Sequence, residues 1–138
     1  METPSKSPKR KKIIYWIFTL WMSLGMISTA IVQLMRNKDE VESFTTLGYP
    51  VYLMTIIGVW KIMGVIAVLI PGRPLLKEWT YAGFIFLMSE AVLSHIIVDD
   101  PLNKTFPALL LLVLTIISWY TRPAERKISL LNNLSNPI

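Results

Sequence analysis

Three ionisable side chains, Lys61, Glu90 and His95, stand inside apolar runs of this sequence. A charge near the middle of a membrane span costs about 2.5 to 3.5 kcal/mol on insertion scales, so such a group turns toward an interior and finds a partner or ligand there. Lys61 and Glu90 lie almost equally far on either side of a turn centred near residue 75, which predicts one depth and a contact between them. That contact could be an ion pair that sets helix register, or a pair of groups converging on a ligand. His95 sits about 140° around the helix from Glu90, near the outer interface; Asp99, four residues beyond it on the same face, could orient its imidazole, and the simpler reading is an interfacial histidine satisfied by water or by Asp99. Across the same turn Tyr52 falls near the height of His95. The candidate ligand-binding set is therefore Tyr52, Lys61, Glu90 and His95, with no catalytic role assigned to any of them.

Other chemistries are excluded by composition. The chain has no cysteine and one histidine, which removes thiolate nucleophiles, disulfide exchange, iron–sulfur clusters and bis-histidine haem, and leaves no metal site to predict. Its 138 residues are 53% hydrophobic and only 17% charged, a composition of membrane proteins.

The elements that must carry the polar residues follow from the apolar runs. Four transmembrane helices are predicted over residues 13–35, 51–70, 79–98 and 106–121, packed as a compact antiparallel all-α bundle between a basic tail (1–12) and a polar tail (122–138). The first run follows Lys9-Arg10-Lys11-Lys12 like a secretory signal, yet it is long enough to span and reads as a retained helix. Gly48-Tyr49-Pro50 and Pro71-Gly72 bracket the second. The fourth, at 16 residues, is expected to stand nearly upright or to borrow flanking residues, with Pro107 in its first turn. Residues 36–50 read as a loop.

Ten of the thirteen Lys and Arg residues outside the spans fall in 1–12, 71–78 and 122–138, so both termini are expected in the cytoplasm. Tyr15, Trp16, Trp79, Tyr81, Trp119 and Tyr120 are expected to form an aromatic belt on that side. Membrane topology thus accounts for the net charge of +5, and no nucleic-acid partner is expected.

Gly48-Tyr49-Pro50-x-Tyr52-Leu53, Ile57-Gly58-x-x-Lys61-x-x-Gly64, Pro71-Gly72, Lys77-Glu78-Trp79-x-Tyr81-Ala82-Gly83 and Ser94-His95 follow one another in an order that resembles the DoxX-like family over roughly residues 13 to 121. The resemblance implies a four-helix protein of a bacterial inner membrane and an accessory role in quinone-linked oxidoreduction, with Tyr52, Lys61 and His95 in its polar site. A lipophilic small molecule such as a quinone, and a membrane redox partner to supply electrons, are then expected besides the bilayer itself. An oligomer is compatible with so few spans. Two other functions fit the same residues: a non-catalytic assembly or stabilising subunit, in which the polar pair only fixes register, and an acid/base isomerase of a membrane-soluble substrate, in which Glu90 and His95 move protons.

Overall fold

The computed structural model describes residues 9–123 and residue 126; what was predicted for the remainder of the two tails lies outside the described residues. Five helices follow in order: α1 (Lys9–Leu34), α2 (Lys38–Thr46), α3 (Tyr52–Leu69), α4 (Pro74–Ile97) and α5 (Leu102–Tyr120), with no strand among the described residues. α1, α3, α4 and α5 are long and apolar enough to cross a membrane. Their outward faces carry large apolar side chains such as Leu24, Trp60, Met63 and Phe86, as lipid contact requires.

α2 was not predicted. The Asn37 side chain accepts a hydrogen bond from the Asp39 N–H at 3.0 Å, Asp39 and Glu40 place negative charge on the first turn, and Phe44 is the residue it buries. A cap of this kind stabilises a helix by about 1 kcal/mol. α5 also differs from expectation, because it starts at Leu102 and carries Pro107 inside the helix rather than in its first turn. Pro107 cannot donate to the carbonyl of Asn103, but Asn103 is exposed at the helix start. The span thus borrows flanking residues, one of the two expected ways to lengthen its reach, and attains about 28 Å, so an upright stance is not required.

Three helices end alike. Arg36, Gly48 and Asp99 adopt left-handed conformations at φ 52°, 84° and 59° just beyond α1, α2 and α4. Each is followed by an N–H that reaches back five residues: Asn37 to the Val32 carbonyl, Tyr49 to Phe44 and Asp100 to His95. These are Schellman caps, which satisfy carbonyls that a helix end leaves orphaned.

The core joins Met22 and Met26 of α1, Val65 and Val68 of α3, Tyr81, Phe84 and Met88 of α4, and Leu111 and Leu114 of α5. α1 packs closely on α3 and on α5, and α5 on α4, whereas α3 meets α4 much less closely although the two are consecutive spans. Small residues decide this. A Cβ on Gly58 would lie 2.9 Å from Leu34 and 3.2 Å from the Ala30 carbonyl, so α3 lies against the C-terminal half of α1.

Candidate functional site

Lys61 lies between Gly58, which meets α1, and Gly64, which meets Phe84 of α4, and its ammonium turns to α1. It is 4% exposed, and its ammonium donates to Thr29 Oγ1 at 3.1 Å. The Thr29 hydroxyl spends its own proton on the Gly25 and Met26 carbonyls, at 3.0 and 3.1 Å, which leaves its oxygen free to accept. The predicted Lys61–Glu90 ion pair is not present: among the described residues neither ion pair involves Lys61 or Glu90. Symmetry about the turn predicts depth, not which neighbour a face meets, and α3 turns the Lys61 ammonium to α1.

Glu90 is exposed on α4 and accepts from Ser94 Oγ at 2.8 Å, one turn on. Since that bond uses the single proton of Ser94, the 2.6 Å contact between Tyr49 Oη and Ser94 Oγ has Tyr49 as donor. The result is a directed chain from Tyr49 through Ser94 to Glu90. Tyr49 is held from the other side by Phe44 of α2, with ring centroids 6.0 Å apart. Tyr52, the tyrosine the sequence suggests, is 63% exposed at the start of α3 and is not among the residues lining the chamber described below. The Gly48 cap decides which tyrosine enters, because it directs the chain after α2 inward at Tyr49.

His95 is also paired differently from expectation. Its Nδ1 lies 2.8 Å from Asp100 Oδ2, with both side chains nearly buried. Four-residue spacing selects Asp99 only while the helix continues. α4 stops at Ile97, Asp99 becomes the left-handed residue of the cap, and the chain then folds Asp100 back over the last turn. In the tautomer whose Nδ1–H donates to Asp100, Nε2 is left as an acceptor.

Lys61, Glu90 and His95 line one chamber of about 690 Å³ to which all five helices contribute. Tyr49 lies on its wall, Asp39, Glu40 and Glu42 of α2 form an acidic rim, and Trp60, Leu87 and Leu111 add apolar surface. Gln33 of α1 also lines it; this side chain is 6% exposed, and its amide oxygen is a buried acceptor with no hydrogen-bond partner among the described residues. In the sequence Gln33 reads, with Ser23, Ser28 and Thr29, as polarity of the first span that needs no ligand, because nothing in an isolated run shows that packing leaves its amide oxygen without a partner. The chamber thus holds a buried ammonium with one protein partner among the described residues and an unsatisfied amide, both arrangements that cost free energy unless something else is bound.

The opposite end of the bundle is polar too, but saturated. Lys77, 0% exposed, donates to the Ala67 carbonyl at 2.9 Å and to that of Ile70, and Arg126 donates to the carbonyls of Val68 and Leu69 at 2.9 and 3.3 Å. These are the last carbonyls of α3, left without helical partners where Pro71 interrupts the chain. Two cations at a helix C-terminus also suit its dipole. Glu78 pairs with Arg122 and accepts from Trp119 Nε1 at 3.1 Å. Tyr81 Oη, Ser118 Oγ and Thr19 Oγ1 form a buried chain with contacts of 2.7 and 2.6 Å. Tyr15 and Tyr81 are consequently buried at 0% exposure, so they are not part of the predicted interfacial belt, to which Trp79 and Tyr120 remain suited.

Four apolar spans around an interior polar chamber define a small helical membrane protein. The sequence profile of the DoxX-like family matches residues 17–118, and the chain belongs to that family. No curated protein and no solved structure gave a match.

Proposed function

We propose that this DoxX-like protein is an accessory component of quinone-linked oxidoreduction that binds a lipophilic carbonyl compound, a quinone or close relative, in the chamber beside Lys61. The observation that carries the reading is the buried ammonium of Lys61 at the chamber wall, with one protein partner among the described residues and no ion pair among them. A carbonyl oxygen only accepts hydrogen bonds, which suits the remaining Lys61 protons; a ring hydroxyl can donate, which suits the Gln33 oxygen. The residues therefore match both oxidation states of a quinone. Such a group supplies a two-electron, two-proton couple when bound. The Tyr49–Ser94–Glu90 chain is placed to hold or pass a proton at the wall, and His95 offers Nε2. The chamber volume is within the range of small-molecule sites.

Without cysteine, the chain takes electrons from a membrane redox partner. It sits in a bacterial cytoplasmic membrane with both termini inside, as the distribution of Lys and Arg supports, which puts α2 and the chamber at the periplasmic side. The saturated cluster around Lys77 favours a second reading, a non-catalytic stabilising subunit, because it shows polar groups used purely to bind helices together.

Titration decides between them. A tailless dimethoxy-methyl-benzoquinone, added to the protein in lipid nanodiscs, is expected to bind saturably, and Lys61→Met or Gln33→Leu to weaken binding about tenfold with helicity retained. Absence of saturable binding to the wild type would move the assignment to the stabilising subunit.

A further inference from the structure

A second cavity, about 660 Å³, runs between α3 and α4, where those helices pack least closely. Its wall is apolar, formed by side chains such as Met63, Trp79 and Phe86, and its floor is Phe84 pressed onto Gly64, where a Cβ would come within 2.5 Å of the ring. The groove shares four lining residues with the polar chamber: Trp60, Lys61, Leu87 and Glu90. The chamber, which has the larger share of polar surface, and the almost wholly apolar lipid-facing furrow thus adjoin at these four residues, the neck between them.

Glu90 gives the neck its meaning. A carboxylate on the lipid-facing surface of a span is unfavourable, and such groups are found facing water-filled or ligand-filled space. Glu90 is exposed, is anchored by Ser94, and lies where the chamber meets the groove. A neck sealed by lipid would strand it; a neck through which polar groups from the chamber reach it would not. Gly83 adds an observation of the same kind. It lines the groove, and a Cβ placed there would touch nothing within 4 Å, so helix packing does not require a glycine at this position. The space above it is open for an occupant.

We propose that the groove between α3 and α4 holds the hydrocarbon tail of the same molecule whose oxygenated head lies in the chamber, and that Trp60, Leu87 and Glu90 frame a lateral portal through which this amphiphile arrives from the bilayer. The ligand class is accordingly a head of one or two carbonyl oxygens carrying a long acyl or isoprenoid chain. The inference rests on the chamber reading above and adds the tail site and the route.

Two probes separate the readings: the tailless benzoquinone and the same head carrying a decyl chain with a terminal diazirine. In nanodiscs at equal mole fraction of lipid, the tailed probe is expected to bind about tenfold more tightly than the tailless one. After irradiation it should label the α3–α4 groove around Met63, Trp79 and Phe86. Gly83→Phe, whose Cβ meets no atom within 4 Å and whose ring would occupy the furrow, should abolish both the advantage and the labelling while tailless binding is unchanged; Gly83→Ala should leave all three intact. Equal affinity of the two probes, or labelling confined to the outer face of α1 around Leu24, with tailless binding intact, would overturn the tail site alone. No binding of either probe would overturn it together with the chamber reading.

Discussion

Lys61 and Lys77 are both buried lysines, 4% and 0% exposed, yet their surroundings give them opposite duties. Lys77 is enclosed by carbonyls of the end of α3, whereas Lys61 meets one hydroxyl and the chamber. Substituting Lys77 by Met strands two carbonyls, each costing about 1 to 3 kcal/mol when left unsatisfied in the interior. Substituting Lys61 by Met removes a buried charge and leaves the Thr29 hydroxyl bonded to its own helix, a change that is often neutral or stabilising. Chemical or thermal unfolding in mild detergent, followed by circular dichroism, should therefore show Lys77→Met losing about 1 to 3 kcal/mol and Lys61→Met about 0.5 kcal/mol or less. Equal losses would mean that Lys61 also serves packing.

Helix ends, more than helix interiors, shape the site. The caps after α1, α2 and α4 turn the chain so that α2 covers the chamber, Tyr49 points into it and Asp100 reaches His95. Two of the three use a residue with a side chain, Arg36 and Asp99, where glycine would be less strained. Asp99→Gly should accordingly raise stability by about 1 kcal/mol and leave the His95–Asp100 contact in place, whereas Gly48→Ala should lower it by a similar amount; both are read as shifts in unfolding free energy. The cap of α2 was legible in hindsight, since Asn37, then Asp39-Glu40, then Gly48 is the ordinary punctuation of a short helix. The sequence alone does not announce it, because in nine mostly polar residues Val41 and Phe44 are too few to establish a helical period.

The whole molecule has one polar end that is saturated and another that is not. If the proposed orientation holds, the saturated end with Lys77, Arg122 and Arg126 faces the cytoplasm, and the chamber lies under α2 on the periplasmic side. Single cysteines introduced as Lys9→Cys and Thr45→Cys, both at exposed positions, test this in intact cells. An impermeant maleimide should label Thr45→Cys and not Lys9→Cys until the membrane is opened. The converse pattern would invert the protein and place the chamber at the cytoplasmic face.

Span number and the presence of polar groups at depth were settled by the sequence alone, because hydrophobic length is a property of each segment by itself and a charge inside a span stands out against it. Lys61, Glu90 and His95 were found this way, and they do share one chamber. Only the tertiary structure decided their partners. Gly58 lets α3 settle against α1, so Lys61 meets Thr29 instead of Glu90; the left-handed turn at Asp99 hands His95 to Asp100; and the cap at Gly48 brings in Tyr49 in place of Tyr52. The basic residues at the other end, taken as topology signals, prove to cap the carbonyls of α3 as well. Each of these outcomes depends on which helix face meets which neighbour and where a helix stops. Lipid-soluble spans have no strong hydrophobic preference among neighbours, so small residues and unsatisfied backbone groups make that choice, and both act only once the chain is packed.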